Sequence, residues 1–219
     1  MPAIDVDIDA LGAGGDGLAK GPDGARLIVP GALPGERARV EPGKGGRGTL
    51  IEILTPSPAR VPAPCRHFGA CGGCSIQHLG DAAYVEWKTG LARAALAREG
   101  LMPEIAPLRR VAPKSRRRAD LAAVKAAAGV ALGFHIENSA NVIDLAACEV
   151  LSPALFGALP ALRAVLADIL RPAQRVDVHA TATATGLDML FTGAAPDAKA
   201  RARLAEYARG AGPRSPSRL

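Results

Sequence analysis

Cys65-Arg66-His67-Phe68-Gly69-Ala70-Cys71-Gly72-Gly73-Cys74 is the stretch on which the reading of this chain turns. It holds three of the four cysteines, spaced C-x5-C-x2-C. The fourth, Cys148, stands far downstream in Leu145-Ala146-Ala147-Cys148-Glu149-Val150. Three thiols in a glycine-rich loop and one from a remote segment can enclose a metal. Cys71-Gly72-Gly73-Cys74 is short enough for both sulfurs to reach one centre, and its glycines let backbone N–H groups turn toward sulfur. Thiolates suit iron–sulfur clusters or zinc, not magnesium or calcium. Spacing alone leaves zinc open, with Cys71 and Cys74 as a knuckle and His67 or His78 nearby. The plainer alternative is a disulfide pair or scattered buried thiols. Two features weigh against it. Asp5, Asp7 and Asp9 occupy the place where a secretory signal would be apolar. A chain of 219 residues also has enough length to build a core without a covalent staple.

Upstream of the loop the pattern is one of short strands and turns. Ile4-Asp5-Val6-Asp7-Ile8-Asp9 alternates apolar and acidic residues at period two and reads as a half-buried strand, broken by Gly12, Gly14, Gly15 and Gly17. Ala25–Val29, Glu36–Glu41 and Thr49–Leu54 read as further strands, with Gly43–Gly48 as a flexible turn. Strands at this spacing predict a small barrel. Gly14-x-x-Gly17 is not a phosphate loop, because no strand–helix unit surrounds it and no Gly-Lys-Ser/Thr follows. Pro56, Pro58, Pro62 and Pro64 stiffen the approach to the cysteines.

Downstream, Asp81 caps a helix running to about Glu99, where Tyr84, Trp87, Leu91 and Ala95 form a stripe expected to be core. Met102–Pro113 is irregular. Lys114-Ser115-Arg116-Arg117-Arg118-Ala119-Asp120-Leu121 opens a strand whose hairpin partner is Ala131–His135. Lys114, Arg116, Arg117 and Arg118 are the candidate RNA contacts, since guanidinium groups match phosphate oxygens; the alternative is a solvated strand end. Ser152-Pro153 starts a helix with Leu155, Leu159, Leu162, Leu166 and Leu170 on one face, which Pro160 is expected to kink or split. Val176–Thr181 and Leu187–Phe191 form a hairpin about Thr185-Gly186. Asp197 opens a last helix.

The run from Cys65 to His78, CRHFGACGGCSIQH, resembles the iron–sulfur loop of the TRAM-containing RNA 5-methyluridine methyltransferases, in which C-x5-C-G-G-C precedes a Gln-His. Val142–Leu151 resembles the later segment that brings the fourth ligand. Val29-Pro30-Gly31-Ala32-Leu33-Pro34-Gly35-Glu36 resembles a phrase of that family's TRAM domain, an OB-like barrel used in RNA binding. The resemblance covers almost the whole chain. It implies a [4Fe–4S] cluster on Cys65, Cys71, Cys74 and Cys148, and methylation at C5 of uridine in ribosomal or transfer RNA.

The implied fold class is α+β. Residues 1–57 form a TRAM-like OB barrel, 58–210 a central iron–sulfur α+β domain, and 211–219 a disordered or aberrant tail. The family's Rossmann-like methyltransferase domain is absent: no glycine-rich strand–turn–helix loop follows residue 110. All four cysteines are spoken for by the cluster, so none is left to attack uracil C6. No catalytic and no S-adenosylmethionine-binding residue is therefore named, and that cofactor would enter only through the missing domain. The chain alone is expected to be inactive, the product of a truncated or frameshifted gene. A non-catalytic RNA-binding iron–sulfur module is the competing reading.

Bulk composition constrains the partners further. Lys and Arg number 27 against 21 Asp and Glu, a net charge of +6 that is compatible with RNA. Aromatic residues make up only 3%, so stacking on bases would contribute little. No apolar run approaches the ~20 residues of a membrane span. A cytoplasmic monomer is expected.

Overall fold

The computed structural model describes residues 2–137, 139–193 and 196–210. Residues 211–219, read above as a disordered or aberrant tail, lie outside them. The fold is mixed α+β, and it divides into two compact units. One comprises the chain up to Pro64 together with Cys74–Arg110; the other comprises Cys65–Gly73 and the chain from Val111 on.

The first unit is built on five antiparallel strands: β1 (Ile4–Leu11), β2 (Gly17–Lys20), β3 (Arg26–Val29), β4 (Arg37–Pro42) and β5 (Gly48–Thr55), in the order β3-β2-β1-β4-β5. The period-two alternation of β1 places Val6 and Ile8 inside, where they join Ala19, Leu27, Val29, Ala38 and Val40. Asp5 stays outside and pairs with Arg39, its cross-strand neighbour, at 3.0 Å. A parallel bridge between Ile28 and Arg47 brings β3 to the approach of β5, so the sheet curls as a barrel does. β2 begins on a glycine that sequence alone reads as a breaker. A Cβ at Gly17 would lie 2.8 Å from the Ala32 carbonyl oxygen, so close backbone approach demands glycine there.

The helix expected from Asp81 is present as α1 (Asp81–Arg98), but Asp81 is its first residue and not its cap, Gly80 holding the N-cap position with no side-chain cap bond, and the expected core stripe is absent. No residue of α1 is buried: Tyr84, Trp87 and Leu91 are half-buried and Ala95 is exposed. Its aromatic residues make local ring contacts instead. Tyr84 and Trp87 pack edge to face at 6.0 Å, Lys88 sits 4.5 Å from the Trp87 ring, and Arg110 lies 4.3 Å from the Tyr84 ring while its guanidinium pairs with Asp81.

The second unit carries β6 (Arg118–Ala126), β7 (Gly129–Gly133), α2 (Pro153–Ile169), β8 (Arg175–Ala182), β9 (Leu187–Thr192) and α3 (Ala198–Gly210). The antiparallel sheet runs β7-β6-β8-β9. Its inner face, with Leu121, Ala123, Leu132, Val176 and Val178, packs on Leu155, Leu159, Leu162 and Leu166 of α2. The Ser152 hydroxyl caps α2 by accepting from the Leu155 N–H at 3.4 Å, with Pro153 in the first turn. Pro160 neither splits nor ends this helix. It is exposed, on the side away from the leucines, and the leucine face holds the turns together across the missing N–H. Asp197 caps α3 through a 2.8 Å bond from the Ala200 N–H. Among the described residues no helix is long and apolar enough to cross a membrane.

Candidate metal centre and nucleic-acid interface

The stretch 65–73 folds on itself before it touches anything else. The Phe68 N–H donates to the Cys65 carbonyl at 3.0 Å, and the Cys71 N–H to the His67 carbonyl at 2.9 Å. The resulting turn then docks on the chain just beyond β7. Gly72 N–H donates to the His135 carbonyl at 2.8 Å, Glu137 N–H donates to the Ala70 carbonyl at 3.2 Å, and Cys71 bridges to Ile136. The two glycines between Cys71 and Cys74 are there for room. A Cβ at Gly72 would lie 3.0 Å from the His135 carbonyl oxygen, and one at Gly73 would lie 3.0 Å from the Phe134 ring.

The Cys148 segment is held by the same unit. Ala146 N–H donates to His67 Nε2 at 3.3 Å, joining the loop to a segment 79 positions away. That bond uses the Nε2 lone pair, so His67 serves as a tie between segments and not as a metal ligand through that atom. Asp144 anchors the other side: Arg163 of α2 donates to its Oδ1 at 2.7 Å, and Leu132 N–H donates to it at 3.2 Å. Cys148 itself packs half-buried against the core beside α2.

None of the four cysteines is in a disulfide, and all four are half-buried. The structure therefore brings the loop carrying Cys65 and Cys71 and the segment carrying Cys148 into one unit. Cys74 opens the stretch that clusters with the N-terminal sheet. Among the described residues no three His, Cys, Asp or Glu side chains stand together as a ready-made metal-binding group. The donor set still suits iron or zinc in its chemistry. It offers four thiols outside any disulfide, on segments fixed by main-chain hydrogen bonds, with a glycine pair that keeps side chains out of the turn.

His78, the other histidine near the cysteines, has a different role. It is buried at 3% exposure in the first unit. Burial, followed by the positive charge of Arg60, pushes its pKa down, against weaker upward pulls from Glu36 and a backbone hydrogen bond with Gly31. Glu36 is buried too and accepts from Leu33 N–H at 2.8 Å, Ser57 N–H at 3.2 Å, and Arg60 Nε and Nη2 at 2.5 and 2.8 Å. Sequence reading missed this cluster. Glu36 reads from sequence as the first residue of a strand of ordinary alternation, although β4 starts only at Arg37, and nothing local announces a partner at Arg60.

The basic run divides. Lys114 pairs with Glu149 at 3.6 Å. Arg116, Arg117 and Arg118 are exposed, and among the described residues none of them forms an ion pair with a carboxylate. Together with Thr181, Ala182 and Thr183 they line one cavity of about 490 Å³. Three guanidinium groups and the Thr181 hydroxyl form a donor-rich site of the kind that takes phosphate or another anion, while the Thr183 hydroxyl donates to the Gly186 carbonyl at 2.8 Å. Only Arg118 lies in β6. Arg116 is placed earlier, by pairing with the Cys148 side of the chain: its N–H donates to the Val150 carbonyl at 2.9 Å, and its own carbonyl accepts from Ser152 N–H at 2.8 Å.

No family model matches this chain. It is, however, similar along most of its length to proteins named for RNA methylation. It is 43% identical over 213 residues to a protein of Caulobacter vibrioides named an uncharacterized RNA methyltransferase, covering 92% of this chain and 51% of that protein. A Brucella suis protein of the same description is 42% identical over 188 residues, which is 86% of this chain and 45% of the relative. A Chromohalobacter salexigens protein named 23S rRNA (uracil(1939)-C(5))-methyltransferase is 36% identical over 187 residues, 83% of this chain and 39% of the relative. The chain thus spans about half the length of the curated relatives it matches.

Proposed function

We propose that this chain is the RNA-holding part of an RNA methyltransferase acting at C5 of uracil, with its curled N-terminal sheet as a TRAM-type barrel. The observation that carries the reading is the cavity in which Arg116, Arg117 and Arg118 stand without a carboxylate partner among the described residues, in a chain similar to proteins named for RNA methylation. RNA is the partner whose chemistry fits: a phosphate backbone meets guanidinium forks bidentately, and the Thr181 hydroxyl adds a donor.

The same proposal includes a [4Fe–4S] centre held by Cys65, Cys71, Cys74 and Cys148. When bound, such a centre supplies a rigid crosslink between segments remote in sequence. This chain's own residues do the rest: His67 ties the loop to Ala146, the glycine pair lets the loop lie flat against His135 and Phe134, and Asp144 fixes the approach to Cys148 on α2. Transfer of the methyl group requires a thiolate that adds to uracil C6 and a site for S-adenosylmethionine. The proposal places both in the half of the relatives that this chain does not span.

The test is the salt dependence of RNA affinity. Each phosphate contact contributes ~0.7 to the slope of log affinity against log salt for a single strand. Replacing Arg116, Arg117 and Arg118 together by alanine is expected to lower that slope by about two and to weaken binding similarly for all sequences. An unchanged slope would show the three arginines to be bystanders.

A further inference from the structure

We infer that the arginine cavity and the cysteine centre are one coupled device: the centre positions Arg116, and with it the phosphate-binding face. The inference rests on the proposed RNA binding and on the proposed four-cysteine centre, and extends both. Arg116 is attached to both segments that bear cysteines. Its Nη1 donates to the carbonyl of Gly73, inside the Cys71-to-Cys74 turn, at 3.3 Å. Its main chain pairs with Val150 and Ser152, immediately after Cys148, and Lys114 N–H donates to the Glu149 carbonyl at 3.0 Å in the same ladder. An isolated bridge between Arg116 and Leu151 marks the same register. Arg116, one of the residues that line the cavity, is therefore bonded to both cysteine-bearing segments.

The physical consequence follows from arginine's flexibility. A long side chain on an exposed segment loses rotamer freedom when it grips a phosphate, and a side chain already held in place loses less. The bond to Gly73 engages Nη1 and leaves the other guanidinium N–H groups of Arg116, a residue of the cavity's lining, free of that carbonyl. If the turn is fixed by thiolate ligation, Arg116 is held by a rigid carbonyl. If the turn is slack, that restraint goes and the grip on phosphate weakens. Arg117 lacks this link. Its carbonyl accepts from Ala182 N–H at 2.7 Å, which places it on the sheet alone. Loading of the centre is thus expected to favour RNA binding, and by reciprocity RNA is expected to favour retention of the centre.

The experiment uses the full chain in metal-loaded and chelator-stripped forms, with a fluorescent single-stranded RNA of mixed sequence as probe and circular dichroism as a check on folding. Stripping is expected to weaken RNA binding by about fivefold or more in the wild type. Arg116→Gln is expected to bind RNA more weakly when loaded and to lose most of that stripping effect. Arg117→Gln should weaken binding and keep the stripping effect. In the reciprocal arm, RNA should slow chelator-driven metal loss from the wild type and from Arg117→Gln, but not from Arg116→Gln. If stripping unfolds the chain, the metal-loss arm decides alone. Equal RNA affinity of loaded and folded stripped protein, or metal loss indifferent to RNA, would overturn the coupling while leaving RNA binding intact. Absence of RNA binding in every form would overturn both readings.

Discussion

Glu36 is an anion at 1% exposure, and its surroundings explain how it stays one. Burial pushes its carboxyl pKa up, but the Arg60 hydrogen bonds, the Leu33 and Ser57 N–H groups and the Arg60 charge together outweigh burial and hold it below its ordinary 4.5. The four bonds tie β4's entry to residues 57–60, so one carboxylate closes the barrel onto the stretch that leads to the cysteines. A depressed folded-state pKa gives stability that is present above 4.5 and is lost as pH falls through the folded value. Glu36→Gln keeps the volume but removes the charge and turns an NH2 group toward Arg60. It is expected to cost about 3 kcal/mol near neutral pH, read from urea unfolding. The gap between variant and wild type should narrow as pH falls below 4.5 and through the depressed folded-state value, where the wild-type carboxylate takes up its proton. A gap that stays constant into acid would remove Glu36 as the source. His78 works in the same direction: burial lowers its pKa from 6.5, so its contribution is present above 6.5 and falls away in acid.

The two long helices differ in what they bury, and a pair of glycines exposes the difference. α2 buries four leucines, whereas α1 buries no residue. Gly157 in α2 and Gly90 in α1 each have open space where a Cβ would sit, so alanine fits at both without a clash. Glycine costs a helix interior roughly 0.5–1 kcal/mol relative to alanine. Gly157→Ala should therefore raise global stability by about that amount, because α2 cannot unravel without opening the core. Gly90→Ala should raise helical content measured by circular dichroism while leaving the cooperative melting temperature nearly unchanged. Equal shifts in melting temperature would show that α1 belongs to a cooperative unit its burial does not reveal. At this scale the sequence was readable wherever the period carried the information. The leucine stripe of α2 and the hairpin about Thr185-Gly186 are where the pattern put them, because their partners lie next along the chain or on one long face. It was unreadable where a distant partner decides. The Tyr84–Trp87–Leu91 spacing is compatible with a core, but a helical period does not reveal whether anything lies opposite. Arg116 reads as part of β6, yet it pairs with Val150 and Ser152, far away in sequence, and the strand starts only at Arg118. Gly17 reads as a breaker because its neighbour, Ala32, is non-local.

The chain as a whole spans about half the length of relatives named as RNA methyltransferases. The cysteine-bearing segments bear on how the second unit is held together. The loop that carries Cys65 and Cys71 leaves the N-terminal sequence to join the second unit, where it meets the Ala146 segment through a single histidine hydrogen bond at 3.3 Å and His135, Ile136 and Glu137 through main-chain contacts. Hydrogen bonds of this kind contribute about 1 kcal/mol each net. Thiolate ligation would add to them, because metal binding free energy appears as folding free energy when ligands come from separate segments. Anaerobically prepared protein is therefore expected to be brown and to carry about four irons per chain. Cys148→Ser should lose most of that iron although Cys148 is remote from the other three, and the second unit should lose stability by an amount of the same order as a chelator removes from the wild type. A serine at this half-buried position is nearly isosteric, so packing alone would cost only about 1 kcal/mol. The two causes separate on this point: a variant that keeps its iron but melts slightly lower reports packing, whereas one that loses iron and then gains nothing from added iron reports a ligand. Colourless wild-type protein with one zinc would leave the four-cysteine site standing and remove the cluster. Wild-type protein with no metal, as stable before chelation as after it, would remove the site itself.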